Sequence, residues 1–589
     1  MRRLGGARDT AEDALLGDTS DASDSGGDVE VVEPGPELRV VASRARVGGS
    51  WDDGARVTVT RDGDGWDVGL AAGPAVALEA VEVEVALPMA EARAWLSNGF
   101  QSWSQSGVLA LPAARPSDED LATALGAKGD AEVLRDGVAL SWWLTWVAGG
   151  TADGAESVVA AALAADRLAA SVTVFRAGDD IHLILRSGGN GDALAVAADV
   201  AQPIERWLVA SASGADGLSA LLARVGERLP SRRDAVATAP EAGWNSWYEL
   251  FATVDETDVR DNAARLGAVL GPSLPVDAPP LRIVVDDGWE RGWGDWYPND
   301  KFPSGLDGLA TDLRADGFRM GVWLAPLLVA ADGDIATAHP DWLVPEVTYH
   351  HLVEGDMRIL DPFVPGAADH LKATAARLVG WGYDLLKIDF LFAGTFPGAR
   401  AGGHSAMEAY VRALALIREG AGEGATLVAV GAPATPALPY VDLWRVGGDI
   451  AVDGVGPSFP FVMNEARSVA ARWPFCRATL CDADPPLFRT LPDGEVAFGA
   501  WVAAVTGGAL FLSDDLGTLA ADWPARPGAA LGPAVSGIGL SGRAAVPLDL
   551  VPPVGSDAPA TLVSAIADHL GGTRTQLVPS RWRLPNGRS

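Results

Sequence analysis

From about residue 240 the chain alternates short apolar runs with amphipathic segments, and this rhythm constrains the fold more than any other feature. The runs "AGWNSW", "LRIVVDDGW", "RMGVWLAP", "YDLLKIDFLF", "TLVAVGAP", "LWRVGGD", "RATLCDAD" and "ALFLSDD" have the length and composition of buried strands. Most are separated by helical stretches such as "GLDGLATDLRADGF", "GAADHLKATAARLVGWG" and "AMEAYVRALALIREGA". Eight strand-then-helix units over about 280 residues match the count and length of a (β/α)8 TIM barrel, which is expected to occupy residues 239–530.

Upstream the pattern changes. Residues 37–215 carry β-type runs such as "LRVVASRARV", "VALEAVEVEVALP" and "DIHLILRS", punctuated by Gly/Asp turns, and these predict an antiparallel β-sandwich. Residues 1–36 are acidic, Gly/Ser-rich and without aromatics, the composition of a disordered tail. A helix and linker fill 216–238, and a Pro-rich, short β-type extension is expected over 531–589. The whole reads as a multidomain α/β protein. Inside the sandwich region "WLSNGFQSWSQSG" is too polar and aromatic for a plain core strand. It is either a loop packed between domains or one that reaches over the next domain's site.

The formal charge of −33 over 589 residues disfavours a nucleic acid or an acidic membrane as partner, and a neutral sugar is indifferent to it. No uncharged apolar run is long enough to span a bilayer and no signal-peptide pattern opens the chain, so a soluble, cytoplasmic protein is expected. A homo-oligomer is compatible with the sequence. Neither a dinucleotide-binding nor a P-loop motif is present, so no cofactor is expected. The seven histidines lack zinc-ligand spacing, so no metal is expected either. Cys476 and Cys481, the only cysteines, are expected as free thiols, because disulfide-stapled proteins use many more.

In such a barrel the reactive groups project from the C-terminal ends of the strands. Those ends carry Asp286 and Asp287 in the second run, Asp389 in the fourth, Asp449 in the sixth, Asp482 and Asp484 in the seventh, and Asp514 and Asp515 in the eighth. Any one could be a turn former or a helix cap. Period-2 alternation, however, aims Lys387 and Asp389 together at the barrel mouth and places Phe390 on the other face. Burying charge there costs several kcal/mol unless it is compensated, and a plain barrel would use an aliphatic residue. Asp449 follows two glycines that free the backbone to turn and approach a ligand, with Arg445 four residues earlier. Carboxyls on the fourth and sixth strands suit the nucleophile and acid/base of a glycosidase, which sit ~5–5.5 Å apart for retention. Trp244, Trp247, Trp289, Trp293, Trp296 and Trp323 cluster at or just after the first three strands. Trp for apolar sugar faces and Asp for hydroxyls together suit a neutral polyol.

The ordered motifs "AGWNSWY", "VVDDGWE", "GDWYPNDKFPSGLDGLATDLRADGFRMGVWLAP", "LLKIDF" and "DLWRVGGD", preceded by "NGFQSWSQSG", resemble melibiase-type α-galactosidases, glycoside hydrolase family 36 of clan D. The resemblance covers roughly 90–530. It implies a retaining exo-α-glycosidase that hydrolyses terminal α-galactosides by double displacement with two aspartates and no metal. Carried onto this chain, it implies Asp389 as nucleophile and Asp449 as acid/base. Asp286 and Asp287 would hold the sugar's 4- and 6-hydroxyls, Lys387 the 3- and 4-hydroxyls, and Arg445 would lie by the 2-hydroxyl. Trp296 would line the pocket, and Trp244 and Trp289 are substrate-binding candidates from the rim clustering alone, where most of the tryptophans could equally be core. The substrate would be an α-galactoside or related oligosaccharide. The chain departs from the family at "KIDFLF", "AVGAP" and "WLAPLLV" and in a curtailed C-terminal domain. Those departures leave the reaction type standing and keep open an α-N-acetylgalactosaminidase or other α-glycosidase, or a transglycosylase; a non-catalytic sugar-binding protein is the remaining alternative, and it would predict loss of one of the two carboxylates, both of which are present.

Overall fold

A computed structural model describes residues 33–34, 37–52, 56–112, 114–126, 140–150, 155–214, 216–232, 240–274, 278–452, 456–489, 491–518, 546–547 and 582–583. The acidic segment before residue 33, the linker over 233–239 and most of the C-terminal extension lie outside these residues.

The N-terminal part is a pair of antiparallel sheets. One runs Val57–Asp62, Gly65–Leu70, Gln202–Ser213, Glu156–Ala162, Leu144–Gly149, Ala92–Ser97, Gly107–Ala110. The other runs Ser50–Asp52, Arg39–Val47, Val76–Pro88, Asp180–Gly188, Ala170–Ala177, Leu140–Trp142. Alternating Val, Leu, Ile and Trp side chains from both close into one apolar core, with Trp66, Trp95, Trp142, Trp146 and Trp207 fully buried. Glu33 and Pro34, expected in the tail, pair with Ser213 and Ala212 as an extra strand, because the exposed edge accepts a backbone partner.

The barrel strands are β1 (Glu241–Asn245), β2 (Arg282–Val285), β3 (Arg319–Leu324), β4 (Leu385–Ile388), β5 (Thr426–Ala429), β6 (Leu443–Arg445), β7 (Leu480–Asp482) and β8 (Ala509–Leu512). Every ladder is parallel and the order is 8-1-2-3-4-5-6-7, an almost closed (β/α)8 barrel, as the strand-helix rhythm implied. Helices α1 (Glu256–Leu270), α2 (Gly305–Ala315), α3 (Pro365–Gly380), α4 (Ala406–Ala421), α5 (Ala434–Ala437), α6 (Phe459–Ala478) and α7 (Asp493–Thr506) follow the strands. Two of them start where the sequence caps them: Asp255 with Asp258 and Ser405 with Glu408 form reciprocal capping boxes.

Inward-facing Val284, Leu385, Val428, Leu443, Leu480 and Ala509 fill the barrel centre. At its N-terminal end Arg282, wholly buried, bonds Glu241 (2.8 Å), Asp384 (2.6 Å) and the Met320 carbonyl (2.8 Å), so its charge is fully partnered. Nearer the strands' C-terminal ends the interior is lined by Asn245, Lys387, Arg445 and Asp482, with Phe511 of β8 beside them.

Cys476 and Cys481 form a disulfide, which corrects the free-thiol expectation. Helix α6 ends at Ala478 and β7 begins at Leu480, and this reversal brings the two Cα atoms to 5.2 Å, within disulfide range. Cysteine counting could not register that turn. No described helix is long and apolar enough to cross a membrane.

Candidate active site

The inward face of β4 carries Leu385 into the barrel centre and Lys387 to the mouth, with Asp389 next along. The Lys387 ammonium donates to Asp286 Oδ2 at 2.6 Å, not to Asp389. Asn245 donates to the same oxygen at 2.7 Å, and the Asp287 amide to Oδ1 at 3.0 Å. Asp286, 1 % exposed, is therefore held by three donors and anchors Lys387, with one acceptor site left. Burial works against the ammonium, but Asp286 and Asp389 outweigh it and hold Lys387 above the usual lysine pKa.

Asp389 accepts from the Trp323 indole at 3.0 Å and from the Phe390 amide at 2.7 Å. Burial pushes its pKa up to about 6; Lys387 opposes the rise and the charge of Asp449 adds to it. Directly after it the chain leaves the strand. Phe390 adopts a left-handed conformation, φ 53° and ψ 29°, at a cost of about 1–2 kcal/mol for a residue with a Cβ. Its ring thereby swings out of the strand's alternation and packs against Trp103 at 5.0 Å and Trp293 at 4.9 Å. The expectation that Phe390 joins the outward face is corrected by that single dihedral.

Asp449 lies beyond β6 in a segment that passes closely between two others. A Cβ on Gly447 would sit 1.7 Å from the buried Glu465 carboxylate, and one on Gly448 would meet Trp103 Cα at 3.9 Å. Neither glycine has positive φ, so the sharp turn expected is absent; close approach to Glu465 requires glycine at 447, whereas Gly448 has only ordinary contacts, with Asn464 at 3.4 Å and Trp103 beyond it. Arg445, 3 % exposed, bonds Asp449 (3.3 Å), Asp482 (2.9 Å) and Asp484 (2.8 Å). Burial raises the pKa of Asp449, and Arg445, Lys387 and the Tyr248 hydroxyl oppose it. Tyr248 also donates to Asp484, which burial lifts to about 7. Tyr248 and Asp484 thus belong to the carboxylate cluster; the sequence places Asp484 among the strand-end carboxylates without a role and does not single out Tyr248.

Asp287, buried beside Glu290, is raised well above the carboxylate range, first by burial and then by the Glu290 charge. The carboxylates after β8 are structural: Asp514 accepts the Phe488 and Arg489 amides and Asp515 the Gly517 amide.

Of the tryptophans expected to bind substrate, Trp244 sits on the outward face of β1, wholly buried, donating to the Asp514 carbonyl at 2.9 Å. Its neighbours Gly243 and Asn245 take the inward positions, so Trp244 is core and that expectation is corrected. Trp289 donates to the Trp323 carbonyl at 2.9 Å, and Trp296 packs 6.0 Å from the Trp323 ring. Both are buried and back Trp323, the indole that meets Asp389. Among the described residues no group of His, Cys, Asp and Glu could hold a metal ion.

The 97–106 loop of the sandwich closes one side. Arg472 of α6, 1 % exposed, donates to Asn98 Oδ1 (2.9 Å) and to the carbonyls of Gln101 (3.0 Å), Ser102 (2.7 Å), Ser104 (2.9 Å) and Val446 (2.7 Å). Ser102 Oγ accepts the Ala432 amide at 3.1 Å. These bonds clamp Trp103 beside Gly448 and against Phe390 and Phe392.

With this geometry in hand, residues 277–391 match the family model described as Melibiase. Over this stretch the barrel is similar to that family. Its β2–β4 segment, with Asp286, Asp287, Trp323, Lys387 and Asp389, is the part matched. An α-galactosidase of Escherichia coli is 27% identical over 187 residues, 30% of this chain and 25% of that protein. Alpha-galactosidase AgaA of Geobacillus stearothermophilus is 35% identical over 106 residues, 17% of this chain and 13% of that protein. The chain thus spans a quarter or less of these curated relatives in the matched alignments. Among solved structures, the Thermus thermophilus α-galactosidase TtGalA, in complex with p-nitrophenyl α-D-galactopyranoside, superposes on this chain with TM-score 0.59 at 26% identity. That match covers 84% of this chain and 94% of TtGalA. The GH36 α-galactosidase AgaA superposes with TM-score 0.57 at 13% identity, covering 85% and 74%, a likeness of fold.

Proposed function

We propose that this chain is a retaining exo-α-galactosidase acting by double displacement. The observation that carries the reading is the pair of mouth carboxyls in contrasting surroundings. Asp389 is held by an indole N–H, a backbone amide and the field of Lys387, and Asp449 is tied to Arg445 and Tyr248.

Asp389, ionised above about pH 6, attacks the anomeric carbon. Asp449, its pKa raised, donates its proton to the departing glycosidic oxygen. The C–O bond to the leaving group breaks as the bond to Asp389 forms. Asp449, now a carboxylate, then takes a proton from water, whose oxygen attacks the same carbon and frees Asp389. Lys387, Asp286, Asp287 and Arg445 bind the hydroxyls of the galactosyl ring, directly or through one another, and Trp323 forms the pocket wall. The substrate is a terminal α-galactoside, with no nucleic acid or membrane partner. Cytoplasmic residence is part of the reading.

Turnover of an aryl α-galactoside followed by NMR tests the reaction class. The α-anomer of galactose is expected first; release of the β-anomer, or no turnover across aryl α-galactoside, α-N-acetylgalactosaminide and α-glucoside, contradicts it.

A further inference from the structure

The leaving-group side of the site has a character of its own. Trp103 bridges the two carboxyls: its ring packs on Phe390, the residue after Asp389, and its backbone lies beside Gly448, the residue before Asp449. An aglycone protonated by Asp449 must depart past this residue.

The surface continues as aromatic. Phe390 contacts Trp293 at 4.9 Å and the His351 ring at 5.3 Å, and Trp293 meets His351 at 5.1 Å. His351 ends one strand of the Leu343–His351/Gly355–Leu360 hairpin. Its Nδ1 is taken up by the Val353 and Glu354 amides at 3.4 and 3.0 Å. Beyond it the turn exposes Leu352 (88%) and Val353 (76%), the two most exposed large apolar residues described. The hairpin reaches the site through His351, whose ring packs on Phe390 and Trp293.

The rings themselves offer few hydrogen-bonding atoms to a ligand, the polar side chains beside them being Asn464 next to Gly448 and Glu354 in the hairpin turn. The Trp103 indole N–H is buried and has no partner, and His351 Nδ1 serves its own turn. A second sugar ring laid here would surrender hydroxyl hydration without matching donors and acceptors, whereas an apolar group would lose nothing.

We propose that Trp103, Phe390, Trp293 and His351, extended by Leu352 and Val353, form an apolar leaving-group shelf that selects α-galactosides with aryl or alkyl aglycones over galacto-oligosaccharides. The proposal rests on the α-galactosidase reading and names the substrate class of that site.

Aryl leaving groups depart faster for electronic reasons alone, so the test uses alkyl α-galactosides, whose leaving-group chemistry is nearly constant. Methyl, hexyl and octyl α-D-galactopyranosides, below their micellar concentrations, and melibiose are assayed with the full chain. Partial burial of the added methylenes should raise kcat/KM roughly ten-fold or more from methyl to octyl. Melibiose should fall below octyl. In Phe390→Asn and in Leu352→Ser/Val353→Ser the octyl-to-methyl ratio should drop toward unity; the second variant changes only exposed turn residues and keeps the test open if the first fails to fold. A wild-type ratio near unity, or melibiose outpacing octyl galactoside, overturns the shelf while leaving the α-galactosidase reading intact. Absence of turnover with every galactoside overturns both.

Discussion

The indole N–H of Trp323 donates to Asp389 Oδ2 at 3.0 Å. The two residues lie on adjacent strands, where Trp323 pairs with Lys387, two positions before Asp389. A neutral donor therefore stabilises the carboxylate, while the nearest ammonium is spent on Asp286. Trp323→Phe keeps the ring and deletes the donor. Loss of a hydrogen bond to a charged group is worth about 1.5–3 kcal/mol, so kcat/KM should fall about 10- to 100-fold. The check is steady-state kinetics with an aryl α-galactoside.

The same bond predicts a pH shift. Asp389 acts as the anion, and its pKa of about 6 sets the acid limb, with activity lost as pH falls through that value. Removing a donor to the anion raises the pKa, so Trp323→Phe should move the acid limb of kcat/KM to higher pH. Asp449 acts in its protonated form with a raised pKa, so activity is lost as pH rises through it. Its limb should stay where it is in this variant.

Arg445→Met acts on the other limb. Arg445 opposes the rise in the Asp449 pKa, so its removal should carry the basic limb upward. It also strips the shared cation from Asp482 and Asp484, and breaking a buried ion pair costs about 3–5 kcal/mol. A pH-rate profile together with urea unfolding separates the two effects.

Arg282→Met tests the opposite end of the barrel. The Arg282–Glu241–Asp384 cluster lies away from the mouth, and because Arg319 still reaches Glu241 at 3.2 Å and Asp384 at 3.4 Å, losing Arg282 should destabilise the fold by less than the about 3–5 kcal/mol of a fully broken buried pair. The folded fraction should keep both limbs of the pH profile.

Thiol titration of unfolded protein without reductant tests the Cys476–Cys481 bond. No reactive thiol is expected, and two on reduction. Two thiols without reductant in protein taken from the cytoplasm would show the pair reduced there.

Much of this was legible beforehand, and the failures share causes. Strand alternation placed Lys387 and Asp389 at the mouth because local geometry alone decides which way they point. Trp244 faces outward, as the same rule applied from Asn245 requires, because clustering of indoles along a sequence does not report which face each one takes. Phe390 escaped because one left-handed residue breaks the period. Tyr248 stood in the recognised "WNSWY" motif, but its link to Asp484 spans 236 positions. Trp103 lay in a segment whose composition signalled a special loop, yet only the Arg472 clamp, more than 360 residues away, fixes where it goes. Gly447 signalled close approach, and the partner that approaches, Glu465, comes from elsewhere in the chain.

The central claim is that Asp389 becomes covalently bonded to the sugar. The most direct measurement uses Asp449→Ala with an activated aryl α-galactoside that needs no acid to depart, quenched in acid and digested for peptide mass spectrometry. With deglycosylation slowed, one hexosyl unit is expected on the peptide containing "KIDF", localised to Asp389. A burst of phenol release with no labelled peptide, or with the label on another carboxylate, would contradict the account.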